Sequence, residues 1–169
     1  MMQFQFRKLA QSDQPIEFHD TLDMSSILKE HSDVLSYTPL QVDVKAAQRV
    51  NEVVDVQGTL KLDLQMACVR CLKPVDLNLQ FKIQEEFKHG EEPEDVAEDD
   101  DTLYVNTDTV DLAPYMEQAA VLELPPGVLC SEDCKGLCPT CGVNLNEQDC
   151  GCDNTPIDPR MAGLKDFFK

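Results

Sequence analysis

Tryptophan is absent from this 169-residue chain, and aromatic residues make up only 6% of it. A core built from such a sequence is mostly aliphatic. No apolar run approaches the length needed to cross a bilayer. The N-terminal stretch "MMQFQFRKLAQSDQPIEF" has no apolar signal-peptide centre. These absences lead us to expect a cytoplasmic protein without a membrane partner. Positive charge is also scarce: 14 Lys and Arg stand against 32 Asp and Glu, for a net charge of −18. A surface that binds duplex nucleic acid needs a basic patch to neutralise phosphates. This chain is repelled by naked RNA unless its few cations cluster, and it attracts basic partners instead. Catalytic signatures are missing as well. There is no GxSxG, no glycine-rich phosphate loop and no HExxH. The carboxylates are too numerous to single out a pair. The expectation is a protein that is not an enzyme and takes no small-molecule substrate.

What the chain does have is cysteine. Six of its eight cysteines fall within "CSEDCKGLCPTCGVNLNEQDCGC", from Cys130 to Cys152, and two more stand upstream in "CVRCL", at Cys68 and Cys71. Disulfides are rare in the cytosol, where so many thiols more often mean metal. A chain with 42% apolar residues is also large enough to bury a core of its own.

Period-two alternation dominates the first half. "FQFRKL" (4–9) and "PIEFHDTLD" (15–23) read as strands, and "SSILKEH" (25–31) as a short helix capped by Ser25 or Ser26. Three longer strands follow, at 40–50, 53–69 and 75–87, with apolar residues on even positions in the second and odd positions in the third. "CVRCLKP" then sits at the tight turn of a β-hairpin. "HGEEPEDVAEDDD" (89–101) reads as a solvated, mobile acidic loop. "TLYV" reads as a strand. "DLAPYMEQAAVLEL" (111–124) reads as a helix that starts at Asp111, tolerates Pro114 in its first turn and stops at "PPG". Its expected buried face is Leu112, Tyr115, Met116, Ala119, Ala120 and Leu122. A last helix begins at Asp158 and Pro159, with Met161, Leu164, Phe167 and Phe168 on one face; it docks on its own sheet or on a partner. The fold class is α+β: a mainly antiparallel sheet or partly open barrel, with a few short helices and a cysteine-rich segment. Its parts are a β region with the first knuckle (1–88), the acidic loop (89–101), a completing strand and helix (102–129), the cysteine-rich segment (130–152) and the C-terminal helix or tail (153–169).

Structural Zn²⁺ takes four thiolate or imidazole ligands in a tetrahedron, and two cysteines two residues apart reach one ion from a tight turn. "CVRCL" and "CPTCG" have that form. Eight cysteines divide into two sites of four, implying two Zn²⁺. One division puts Cys138, Cys141, Cys150 and Cys152 together and joins Cys130 and Cys134 to Cys68 and Cys71. The other joins the two knuckles, Cys68 and Cys71 with Cys138 and Cys141. The first is preferred because the shorter loop costs less closure entropy. Eight thiolates and two Zn²⁺ would take the net charge from −18 to −22, further weakening the case for RNA. Arg70, Lys73 and Lys135 flank the cysteines; they are candidates for phosphate contact or for balancing thiolate charge. A redox CxxC belongs at a helix N-terminus, whereas "CVRCL" lies between strands. An iron–sulfur cluster also uses four cysteines, but knuckle spacing is commoner for zinc. Catalytic zinc needs an open position and usually His or carboxylate ligands; His19, His31 and His89 are all remote from the cysteines.

"CVRCLKP", the acidic loop, the "YMEQAAVLELP" helix, the cysteine-rich segment and the closing "DPRMAGLKDFF" occur here in an order that resembles the YceD family, the large ribosomal RNA subunit accumulation proteins of bacteria and plastids. The resemblance implies a cytoplasmic, non-enzymatic factor supporting synthesis, processing or stability of large-subunit (23S) ribosomal RNA. It implies that Cys68 and Cys71 form the first knuckle, and that Cys130, Cys134, Cys138, Cys141, Cys150 and Cys152 form the cysteine-rich segment. The expected partner is a basic ribosomal or RNA-processing protein held by the acidic surface, with Arg160 and Lys165 of the last helix as secondary contacts. Ribosomal RNA would be touched indirectly or weakly. The other readings are a direct RNA-binding knuckle module and a redox- or zinc-responsive regulator.

Overall fold

The computed structural model describes residues 2–12, 14–93 and 101–153. Eight strands and three α-helices follow in the order β1 (Gln3–Gln5), α1 (Phe6–Gln11), β2 (Ile16–Leu22), α2 (Ser25–Leu28), β3 (Val34–Tyr37), β4 (Leu40–Gln48), β5 (Val53–Ala67), β6 (Pro74–His89), β7 (Leu103–Val105), β8 (Thr109–Asp111) and α3 (Ala113–Leu122). The main sheet runs β2-β4-β5-β6-β7, and β3 continues the β4 side of β5. Among the described strands, only β6 and β7 pair in parallel. The sheet is open rather than barrel-like, with β2 and β7 at opposite ends of the order.

The long hairpin of β5 and β6 is the spine. Its register is continuous from Val53↔Lys88 to Ala67↔Pro74. The alternation in the sequence sets its faces. Val54, Val56, Leu60, Leu62, Leu64 and Met66 are buried, and Val75, Leu77, Leu79 and Phe81 lie half-buried beside them. Gly58 interrupts the row for a steric reason: a Cβ there would stand 2.1 Å from the Asp43 carbonyl oxygen and 2.6 Å from the Val44 Cα. Strands β4 and β5 are therefore too close at this point for any other residue. Helix α3 covers the core face through Leu112, Met116 and Ala120, which are fully buried. Phe4, Phe87 and Tyr115 meet edge to face, with centroids 5.7 and 4.9 Å apart, and tie β1, β6 and α3 together.

Several elements differ from the sequence expectations. The stretch 4–9 is not one strand; only Gln3–Gln5 is extended, and Phe6–Gln11 is helical. Arg, Lys, Leu, Ala and Gln favour a helix. Asp108 accepts its first amides, the carbonyl taking the Phe6 N–H at 3.0 Å and Oδ1 the Arg7 N–H at 3.3 Å. Helix α2 is shorter than 25–31; its N-cap is Met24, not a serine, and Asp23 just before it accepts the Ser25 N–H at 2.9 Å. Leu122 does not join the buried face of α3; it is 76% exposed at the helix end. Strands β3 and β8 were not expected. Most of the acidic loop (94–100) and the C-terminal helix (154–169), with Arg160 and Lys165, lie outside the described residues.

Candidate metal centres

The turn between β5 and β6 is the first knuckle. The Cys68 N–H donates to the Lys73 carbonyl (2.8 Å), and the Leu72 N–H to the Cys68 carbonyl (2.9 Å). Leu72 takes a positive φ of 61° to close the turn. Both thiols thereby face one way. Residues 128–137 fold back over them: Val69 donates to Val128 (2.9 Å), Leu137 donates to Arg70 (3.0 Å), and Cys68 bridges Val128. Gly136 permits this approach, because a Cβ there would lie 2.9 Å from the Arg70 carbonyl oxygen.

The eight cysteines gather as two tetrads. Cys68, Cys71, Cys130 and Cys134 have sulfurs within 4.8 Å of one another, and so do Cys138, Cys141, Cys150 and Cys152. This is the division favoured by loop closure, with the cysteine-rich segment pinned onto the hairpin. Cys68, Cys71 and Cys134 are buried, while Cys130 is exposed. The second tetrad is local. The Cys138 N–H donates to Val143 (2.8 Å), the Gly142 N–H to Cys138 (2.8 Å), and Gly142 and Gly151 have φ of 75° and 67°. It is also more open: Cys138 is buried and Cys141 exposed.

The donor chemistry fits a soft, closed-shell cation. A regular tetrahedron with metal–sulfur bonds of about 2.3 Å places sulfurs about 3.8 Å apart. In the first tetrad Cys68 and Cys134 are 3.8 Å apart, and Cys71 and Cys130 are 3.4 Å apart. Its thiols respond unequally to their surroundings. Burial works to raise the Cys68 thiol, but the amides of Cys71, Arg70 and Cys130 and the Cys71 thiol bring it down to about 6. At Cys71 the Lys73 amide lowers the thiol, while burial and the thiols of Cys130, Cys68 and Cys134 push it up to about 12. Burial likewise opposes ionisation of Cys134, and the Asn146 amide, the Cys130 thiol and the Gly136 N–H lower it on balance. In the second tetrad Cys152 is pushed up to about 12, first by Cys150 and then by Cys141. A ring of N–H donors thus favours thiolate, while four like charges oppose one another. A divalent cation held by the four cysteines would resolve that conflict by keeping all four ionised.

Two of the three cations flanking the tetrads, Arg70 and Lys73, have partners for their side chains. Arg70 Nη1 donates to the Cys134 carbonyl at 2.8 Å. Lys73 Nζ lies 2.6 Å from Glu147 Oε1, and this carboxylate raises the lysine's pKa. Lys135 is exposed, and its backbone N–H donates to Asn146 Oδ1 at 2.7 Å. Asn146 is the residue that sequence reasoning missed. It lies in the loop of the second tetrad, yet its Nδ2 donates to Cys134 Sγ of the first at 3.4 Å. An asparagine in a polar loop carries no spacing signal for such a role. None of the histidines joins a tetrad; His19 instead meets Asp43 at 2.8 Å on β2 and β4.

No helix among the described residues is long and apolar enough to cross a membrane. No solved structure matches the chain. An uncharacterized protein of Mycobacterium tuberculosis (strain ATCC 25618 / H37Rv) is 37% identical over 130 residues, which is 76% of this chain and 62% of that protein, so the chain spans about three fifths of the mycobacterial relative. The uncharacterized protein YlbN of Bacillus subtilis is 30% identical over 168 residues, covering 92% of this chain and 90% of its own. The chloroplastic large ribosomal RNA subunit accumulation protein YCED homolog 1 of Arabidopsis thaliana is 24% identical over 165 residues, 82% of this chain and 51% of that protein. The family model described as large ribosomal RNA subunit accumulation protein YceD matches residues 56–168, from near the start of β5 through both tetrads, and the chain belongs to the YceD family.

Proposed function

We propose that this chain is a non-enzymatic factor that supports accumulation of large-subunit ribosomal RNA, held in shape by two zinc ions and acting through a basic protein partner. Family membership supports the process. The two all-cysteine tetrads support the metal: with four sulfur donors each, they have the make-up of closed structural sites rather than of a centre with an open position. The first ion would join Cys68 and Cys71 to Cys130 and Cys134, fastening the segment after α3 to the hairpin tip.

The single observation carrying the partner reading is charge. The chain has net −18, and two of the three cations nearest the cysteines are engaged, Arg70 with a carbonyl and Lys73 with Glu147, leaving the exposed Lys135. That leaves little at the knuckle to neutralise phosphate, and favours a basic ribosomal or RNA-processing protein over RNA itself. Cells depleted of the protein should show a fall in large-subunit relative to small-subunit ribosomal RNA. Wild-type protein should restore the ratio, and the Cys68→Ser, Cys71→Ser double variant should not. An unchanged ratio on depletion contradicts the proposal.

The exposure of Cys130 and Cys141 favours a second reading, a regulator whose thiolates are oxidised under stress and release metal. It requires zinc loss at modest peroxide with a change in partner binding; protein that keeps its zinc under that treatment removes it.

A further inference from the structure

Strand β6 is 16 residues long, and β5 pairs with it along one side. On the other side, among the described residues, β7 reaches only Phe87, Lys88 and His89. No described strand pairs with residues 76–86 on that edge. The direction of their backbone groups follows from the register. The Gly90 N–H donates to the Val105 carbonyl on β7 at 3.0 Å. Successive residues of a strand direct their N–H and C=O groups to opposite edges, and the β5 register has no bulge. The even-numbered residues Asp76, Asn78, Gln80, Lys82 and Gln84 therefore turn their amides and carbonyls to the open edge, and Glu86 turns its amide there, its carbonyl facing Leu103 of β7.

This edge has a specific setting. A groove of about 330 Å³ lies between it and α3, with Phe81, Ile83, Leu103, Tyr115, Ala119 and Leu122 among its lining residues. Phe81 is only half-buried and Leu122 is 76% exposed. Glu85 and Glu123 also line the groove. The carboxyl of Glu85 is held above its ordinary pKa, first by burial and then by Asp101. An extended guest on an open edge is held by main-chain hydrogen bonds, and its alternate side chains enter the pockets beside the edge. Here the groove runs beside residues 81–85, its lining is largely apolar, and its charged residues are two carboxylates, Glu85 and Glu123, and one cation, Lys82.

We propose that residues 76–86 of β6 accept an added strand from a partner: an extended, basic segment whose alternate apolar side chains enter the groove between β6 and α3. This rests on the reading of the chain as a binder of basic protein, and gives that reading a surface and a guest conformation. A lone charged edge is commonly a guard against aggregation; the half-buried apolar row and the groove beside this one distinguish it.

The test uses the full ¹⁵N-labelled chain with its metal, a synthetic peptide alternating lysine and valine, and a matched peptide alternating glutamate and valine. Amide exchange is followed by NMR. The expected result is fast exchange at Asn78, Gln80, Lys82, Gln84 and Glu86 in the free protein, slowed about tenfold or more by the lysine peptide and not by the glutamate peptide. The odd-numbered amides, bonded to β5, stay slow throughout. Gln80→Pro removes an outward-facing N–H and no ladder bond to β5, so it should keep the fold by thermal melt and weaken peptide binding about tenfold. Binding without protection of the even-numbered amides overturns the proposal. Even-numbered amides already protected, and released when the chain is cut after Asp153, also overturn it, because the chain's own C-terminal segment then fills the edge. If cellular capture still yields basic proteins while β6 shows no protection, the strand-addition site fails and the basic-partner reading stands.

Discussion

A single sulfur illustrates what holds this molecule together. Cys68 is fully buried at the hairpin tip, 3.8 Å from Cys134, a residue 66 positions further along the chain. Cys68→Ser should release the first metal and lower the melting temperature by roughly 10 °C or more, because the lost site joins distant segments. Cys150→Ser should cost clearly less, since its tetrad closes a local loop. Equal losses in parallel melts would contradict this ranking. Asn146 donates to Cys134 Sγ from the loop of the second tetrad, so with zinc bound as proposed, Asn146→Ala should speed its transfer from the first tetrad to a chelator. His19 offers an independent check: its hydrogen bond with Asp43 raises its pKa above the ordinary 6.5. Any stability from this pair is present below pH 6.5 and fades as pH rises through the folded value. An NMR titration should place His19 above 6.5, and Asp43→Asn should bring it back down. The tetrads were legible because ligand spacing and loop closure act along the chain. Asn146 was not, because its role depends on where the folded loop carries it.

Elements are where sequence pattern and tertiary context separate. The long alternations of β4, β5 and β6 were readable because one face of each strand is buried and a register slip would expose it. The pairing of the three-residue strands β1 and β8 was not: it joins Phe4 to Val110 across more than 100 positions, and nothing local announces that. Phe4, Phe6 and Leu9 suit a strand or a helix equally, and Asp108 settles the matter by accepting the first amides of α1. Leu122 has the spacing of a buried residue but is exposed as the last residue of α3. Within β5, Gly58 is the position most sensitive to change. Gly58→Ala sets a methyl against the backbone of Asp43 and Val44, so it should destabilise the fold by about 3 kcal/mol, measured by urea unfolding. A loss below about 0.5 kcal/mol would mean that β4 moves aside freely.

At the scale of the whole molecule, the proposal of a basic partner rests on charge. An acidic body clamped by two all-cysteine sites is poorly suited to grip phosphate and well suited to draw in a basic protein. Alanine at Arg70, Lys73 and Lys135 should leave association with RNA unchanged in gel-shift assays, while Arg70→Ala alone should weaken the first tetrad by removing the hydrogen bond to the Cys134 carbonyl. Complexes formed by the acidic surface should weaken steeply as salt is raised. The central claim is best tested by capturing the tagged protein from gently lysed cells with and without nuclease. The account predicts that basic ribosomal or RNA-processing proteins remain bound after nuclease and leave with salt. Their loss on nuclease treatment would show that RNA holds the complex together, and would contradict it.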